Sequence, residues 1–477
     1  MTLGEVKYRQ SRQTYNSSMI PPRAAVPTIT FVDAYCANYA HLFSEVRTFE
    51  NFKYLHVGII SDIPHKSLPA IARVVGLHDS HTWQNFLTDS PWSVIELRNY
   101  RIALALKMLN GQPFKLIIDE TGDRKKGRHT NYVTRQYIGN LGKIENGIVS
   151  VNAYGVLGDI TFPLMFKIYR PKSTLKEGDI YKSKPQIAGE IIEELQTMGC
   201  KFDLVLADSL YGESGNLIKI LQKFELSYVL AIRSNHAVWL REGQEVTCGE
   251  WQDFMRIFTD GTIQKRYIAE IIFGVRRGVT YWQITTDHEQ LPANQIGALF
   301  ARILHPGEKR TEYVMTNLTG NFLLKLGNLY GFRNWIEYAF KQAKNELGWA
   351  DFRFTNYEAI EKWWEVVMSA YLMVSLQTIE RQPKQTPETA IDFESLASFE
   401  ASANVEPPKL REHIWWNFQT GWKSTLNNLR LLIQPYIFFN LLKPWLLIFE
   451  IPHLKFGFGK LIDMMNEFQG YKFFNSE

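Results

Sequence analysis

Two short apolar runs, each closed by an aspartate, constrain this chain more than any other feature: Phe114-Lys-Leu-Ile-Ile-Asp119 and Phe202-Asp-Leu-Val-Leu-Ala-Asp208. Runs of this length rich in Ile, Leu and Val read as buried strands. Gly147–Tyr154 and Ile160–Tyr169 read as two further strands separated by a Gly-containing turn, and Lys184–Met198 as a helix. Beyond Asp208 come a helix, Gly215–Phe224, and a strand, Ser227–Ile232. Strands interleaved with helices call for a mixed sheet with helices on both faces. In such a sheet the carboxyl ends of neighbouring strands lie close together. An acid at one strand end means little alone, so the pair needs a third element.

That element is Tyr330-Gly-Phe-Arg333-Asn-Trp-Ile-Glu337-Tyr-Ala-Phe-Lys-Gln-Ala-Lys344. On a regular helix at about 100° per residue, with Tyr330 at zero, Arg333 falls at about 300°, Glu337 at about 340° and Lys344 at about 320°. The four side chains then share an arc of about 60°, beside an apolar stripe of Phe332, Ile336, Phe340, Ala343 and Leu347. A surface ion pair accounts for Arg333 and Glu337 alone. It does not account for the Tyr and the distant Lys.

The order of three strands, helix, strand, helix, strand is that of a ribonuclease H-like core. The expected fold is therefore α/β: a ribonuclease H-like mixed sheet flanked by helices, with a β-rich insertion and helical N- and C-terminal regions. The expected divisions are 1–110, a helical DNA-binding region; 111–238, the first part of the core; 239–318, the insertion; 319–380, the rest of the core with the Glu337 helix; and 381–477, a helical C-terminal region. Strands at Tyr267–Phe273, Gly278–Thr285 and Thr311–Thr316 mark the insertion. In the first region, Leu68–Leu77 followed by Ser80–Leu87, with Gly76 at the turn, has the helix-turn-helix pattern.

Charge distribution says more than the net +4. Arg124, Lys125, Lys126, Arg128, Arg135 and Lys143 crowd one short stretch, which suits a phosphate backbone or else a solvated face. Cys36, Cys200 and Cys248 are scattered and odd in number, which argues against a disulfide framework or a zinc site and fits a reducing cytoplasm. The late apolar run Leu431–Ile451 contains Gln434, Pro435, Asn440, Lys443, Pro444 and Glu450, so a buried helical pair is expected rather than a membrane span.

Gathered carboxylates with a nearby Arg and Lys suit phosphodiester chemistry, in which two Mg²⁺ ions stabilise the attacking and leaving oxygens. Asp119 in Ile-Ile-Asp-Glu-Thr-Gly, Asp208 in Leu-Ala-Asp-Ser-Leu-Tyr-Gly and the Y-x2-R-x3-E-x6-K spacing together resemble the insertion-sequence DDE transposases with a YREK signature. Arg135-Gln-Tyr-Ile-Gly139 and Leu141-Gly-Lys-Ile-Glu-Asn146 add to that resemblance, which spans about Leu68 to Trp349.

The resemblance implies that Asp119, Asp208 and Glu337 bind two Mg²⁺, with Mn²⁺ as a substitute. It implies that Tyr330, Arg333 and Lys344 contact the transposon end, and that the partners are double-stranded DNA, as transposon ends and target, and a second subunit on paired ends. Release by cut-and-paste through a DNA hairpin would place a Trp of the insertion on a flipped base; Trp282 is the candidate and Trp251 its rival. A cytoplasmic, nucleoid-associated protein without a membrane follows. Glu120 stays open as an alternative ligand to Asp119. A metal-dependent endonuclease without strand transfer and an inactive DNA-binding derivative remain the rival functions. A glycoside hydrolase also pairs carboxylates but gives no reason for the basic cluster.

Overall fold

The computed structural model describes residues 23–127, 129–158, 160–233, 247–248, 252–257, 263–276, 279–287, 310–319, 326–381 and 413–469. Its strands are β1 (Phe114–Arg124), β2 (Thr134–Ile138), β3 (Lys143–Leu157), β4 (Ile160–Ile168), β5 (Phe202–Ala207), β6 (Tyr228–Ile232), β7 (Thr247–Cys248), β8 (Gln252–Ile257), β9 (Ile263–Arg276), β10 (Val279–Asp287) and β11 (Arg310–Thr316). They form one sheet in the order β2-β3-β1-β5-β6-β11-β10-β9-β7, with β4 also on β3 and β8 also on β9. β1 is antiparallel to β3 and parallel to β5, and β5 is parallel to β6. This is the expected mixed α/β sheet, ribonuclease H-like, with helices against it.

Three features differ from the sequence expectation. β1 runs past Asp119 to Arg124, so that acid lies within the strand rather than closing it, because pairing with β3 continues after pairing with β5 has stopped at Ile118. β2 was not anticipated: at five residues, on an edge, it carries little apolar pattern of its own. The β-rich stretch is continuous with the core sheet, because β11 pairs antiparallel with β6 (Val314 opposite Ala231). That pairing covers the backbone donors and acceptors that β6 would otherwise present as an open edge.

The helix Tyr357–Arg381 is buried along most of its length. Trp364 stacks on Trp349 with ring centroids 4.4 Å apart. Glu365, fully buried, accepts from Arg101 Nε at 2.5 Å and Arg98 Nε at 3.0 Å. Arg101 also donates to the carbonyls of Pro163 and Leu164 at 2.6 and 2.9 Å. One buried guanidinium thus ties the helix Val94–Leu109, β4 and the central helix together. Every hydrogen-bonding arm is used, as burial of charge requires.

At the N-terminal side, the helices Leu68–Val74 and His81–Thr88 flank Gly76, whose φ of +76° is the turn conformation glycine permits. Trp83, Phe86 and Leu87 face inward, leaving His81, Thr82, Gln84 and Asn85 exposed. At the other end, Trp422–Leu446 runs through Pro435 and Pro444 and turns into Pro452–Gln469. The expected buried helical pair is corrected here. The pair forms, but Trp445, Leu447, Ile448, Phe449 and Phe456 are exposed, the last by 74%. Among the described residues no helix is long and apolar enough to cross a membrane.

Replacing Glu365 by Gln leaves Arg101 and Arg98 without their buried counter-charge. The expected loss is about 3–5 kcal/mol of stability, read from the urea midpoint; an unchanged midpoint would show that the cluster is not a structural tie.

Candidate active site

Asp119 and Asp208 follow directly on a paired position. Ile118 lies opposite Ala207 in the parallel β1–β5 ladder, so the next residue of each strand emerges at the same edge. Apolar side chains on both faces hold the strands in that register. Asp208 then begins the short helix Ser209–Gly212, its Oδ1 accepting from Leu210 N at 2.9 Å. The rest of that motif has structural reasons too. Tyr211 is buried and donates its hydroxyl to Glu120 Oε2 at 2.8 Å. Gly212 backs onto β6, where a Cβ would stand 1.9 Å from the Ala231 carbonyl oxygen.

Glu120 is held from a second side by Lys184 Nζ at 2.9 Å. As the neighbour of Asp119 on a strand it leaves by the opposite face. Glu120 is thus engaged by Lys184 and Tyr211, whereas Asp119 faces Arg333.

The third element is not one regular helix. It comprises Leu326–Gly331, a 3₁₀ turn Phe332–Asn334, an α segment Trp335–Lys341 and a π turn Gln342–Glu346. The regular wheel is therefore corrected. Arg333 and Glu337 still meet, with Nη2 3.6 Å from Oε1. Lys344 instead reaches β1, donating to the Gly122 carbonyl at 2.8 Å and pairing with Asp123 at 2.8 Å. Gln342, in the same turn, accepts from the Tyr371 hydroxyl. The turn widens where its polar side chains are tied to different elements, a feature frequent at functional sites. Tyr330 is buried, with the Arg333 guanidinium 5.9 Å from its ring centroid.

Arg333 joins the acids. Its Nη1 donates to Asp119 Oδ2 at 3.0 Å while Nη2 faces Glu337. Burial pushes the Asp119 carboxyl up; Arg333 opposes this, Asp208 and Glu120 reinforce it, and the result is about 7. Asp208 is also pushed up, by burial and then by Glu120, with Arg333 pulling back. Burial acts against the Arg333 charge, but Tyr330, Asp119, Glu337 and Asp208 more than offset it. Glu337 is about half exposed at the rim. Among the described residues, no three Asp, Glu, His or Cys side chains are grouped closely enough to hold a metal ion. The carboxylates at hand are nonetheless the hard oxygen donors that Mg²⁺ and Mn²⁺ take.

The basic run resolves into distinct environments. Arg124 is exposed and lies 3.7 Å from Glu145, which also pairs with Lys143 at 3.1 Å. Lys126 and Arg135 are exposed; Lys125 packs 3.3 Å over the Phe352 ring, and burial pulls its amine down to about 8. Arg128 lies outside the described residues. Sequence reasoning missed the exposed Tyr137, Leu141 and Ile144 at the β2–β3 hairpin beside these cations. Their interleaving with Arg135 and Lys143 was the available signal. Trp282 sits in β10 at a register shift, between Ile272 and Val314, and its side chain lies outside the described residues, as does Trp251.

Two outcomes follow. Gly212→Ala should cost roughly 1–3 kcal/mol, because a backbone oxygen cannot retreat as a side chain can; an unchanged urea midpoint would show the contact is relaxed at no cost. The unfolded Asp119 carboxyl ionises near its ordinary value of 3.8, whereas the folded one keeps its proton to about 7. Its contribution to metal-free stability is thus present below about pH 4 and lost as pH rises to about 7. The melting temperature of Asp119→Asn, minus that of wild type, should grow from pH 5 to pH 8 without metal; a constant difference would refute it.

With the geometry in place, the resemblance to known proteins becomes specific. Residues 41–247 match the family of DDE superfamily endonucleases, and residues 181–373 match the transposase DDE domain. Asp119 lies in the first match, Glu337 in the second and Asp208 in both. A probable transposase for insertion sequence element IS701 from Microchaete diplosiphon is 52% identical over 344 residues, covering 72% of this chain and 87% of that protein. A match of that depth along most of both chains shows the family: the chain belongs to the DDE transposases of insertion sequences, enzymes that act on DNA.

Proposed function

We propose that this transposase cuts DNA at the terminal inverted repeats of its element and joins the 3′-OH ends to target DNA. One observation carries the reading: Asp119 and Glu337, distant in sequence, both face the Arg333 guanidinium, and Asp208, next to the paired position Ile118–Ala207, lies within range of its charge. The residues proposed to hold divalent metal are those three acids, with two Mg²⁺ as the expected complement and Mn²⁺ as a substitute. Such a pair, when bound, supplies charge stabilisation to the attacking and leaving oxygens of an in-line displacement.

The chain's own residues do the rest. Burial of Asp119 and Asp208 makes the strand-end carboxylates strong anchors for a cation by raising the cost of leaving them charged and alone. Lys344, pinned to Gly122 and Asp123, holds the helix of Glu337 against β1. The exposure of Arg124, Lys126, Arg135 and Lys143 around the β2–β3 hairpin supports contact with a phosphate backbone. The exposed polar face His81–Asn85 is the proposed second DNA contact. Cut-and-paste release through a hairpin, with Trp282 stacking a flipped base, belongs to the same reading.

Paired ends require two active sites, and the C-terminal hairpin supports a homodimer. Phe438, Leu442 and Trp445 are exposed at i, i+4 and i+7, and Leu454, Leu461 and Met464 continue the apolar face on the second helix. With Leu447, Ile448, Phe449 and Phe456 this face is on the order of the 800 Å² per partner that a stable interface buries. Its helical spacing suits packing against the same hairpin of a second copy.

Asp208→Asn should abolish Mg²⁺-dependent cleavage of the DNA flanking the chain's own gene while leaving its binding intact. Undiminished cleavage would remove Asp208 from the site, and ends that are cut but never joined to target would reduce the enzyme to an endonuclease. Light scattering on end DNA should give two subunits per paired complex, reverting to one with Trp445→Glu. A 1:1 complex for the unaltered protein would count against the dimer.

A further inference from the structure

Arg333 stands where the proposed cations would have to act. It is about 13% exposed, its Nη1 holds Asp119 Oδ2 at 3.0 Å, its Nη2 faces Glu337 Oε1 at 3.6 Å, and Asp208 adds its field. Its Nε is a buried donor with no partner among the described residues. A guanidinium serving only as a structural tie would be expected to use every arm, as Arg101 does; Arg333 leaves one unsatisfied while two arms face carboxylates. Two buried carboxylates with a third at the rim repel one another unless a cation sits among them. Here the protein supplies that cation itself, which explains why the acids are gathered around Arg333 rather than around a common point.

We propose that Arg333 is a built-in stand-in for metal: in the DNA-free enzyme it competes with divalent cations for the carboxylate oxygens of Asp119 and Glu337, so cation loading and release of the guanidinium are one exchange. The inference rests on the metal reading above and deepens it by naming what holds the site until it is loaded. Freed of Asp119, the guanidinium, with its unused Nε, is a bidentate phosphate binder a few ångströms from the acids. Loading the site would thereby create the anion-binding group that DNA needs. A scissile phosphate would in turn draw Arg333 off the acids. Enzyme without DNA would stay poorly loaded, which limits cleavage at unintended places. Before DNA arrives Arg333 acts through the carboxylates; with DNA bound it touches the phosphate itself.

The test is Mn²⁺ binding to the full-length protein without DNA, followed by paramagnetic resonance of the free ion at pH 8. Arg333→Ala should bind Mn²⁺ at least about tenfold more tightly than wild type, because a unit charge within a few ångströms of the ion has been removed. Guanidinium chloride at low millimolar concentration, against matched NaCl, should loosen Mn²⁺ from Arg333→Ala and leave wild type unaffected. If Arg333→Ala does not give a cooperative melt, Arg333→Lys takes its place, with a smaller tightening of the same sign. Equal or weaker Mn²⁺ binding in the folded variant would overturn the exchange and make Arg333 a structural tie. No binding to wild type or to any variant would sink the metal reading itself.

Discussion

The parallel pairing of β1 with β5 is the constraint on which this molecule depends. Parallel strands need a crossover, here the helix Lys184–Thr197, and a sheet covered on both faces. Burying both strands makes their register expensive to change, since a slip of one residue reverses every side chain. The register that survives puts Asp119 and Asp208 side by side. Proximity of the two acids is therefore a property of apolar packing, accomplished by Leu116, Ile117, Ile118, Val205 and Leu206, none of which has any chemistry of its own.

That placement carries an electrostatic cost, and the surrounding structure answers it. Arg333 lies between Asp119 and Glu337, Lys344 with Asp123, Lys184 with Glu120, and Asp208 on the amides of its own helix. Each of these cations comes from a segment distant in the chain from the β1 acid that it meets. The π turn that carries Lys344 and the 3₁₀ turn that carries Arg333 deform one helix so that both reach β1. Far from this edge, Glu365 with Arg98 and Arg101 performs a comparable neutralisation wholly inside the core. The difference is informative: the interior cluster satisfies every arm of Arg101, whereas Arg333 keeps one unused.

Much of this was legible from residue order. The strands that carry or precede Asp119 and Asp208, the helices between them and the β-rich stretch are written in local periodicity, although β1 runs on past Asp119 to Arg124 because β3 pairs with it there. The Tyr-Arg-Glu-Lys spacing marked the right segment. It did not reveal that Lys344 would turn to β1, because a wheel assumes one constant pitch. Nor did it distinguish Glu120 from Asp119, since adjacent residues on a strand differ only in which face the fold covers. The apolar run after Leu431 was visible, but burial depends on a neighbour, and for Trp445, Phe449 and Phe456 the described residues provide none.

The order of elements, the acids that follow the apolar runs and the family to which they belong were determined by sequence alone, because those properties are local or counted along the chain. Which carboxylates meet, which cation stands among them and which apolar face stays uncovered were decided only in three dimensions. Charges interact through space at distances of a few ångströms, and residues such as Asp119 and Arg333, 214 positions apart, become neighbours only once the sheet has closed.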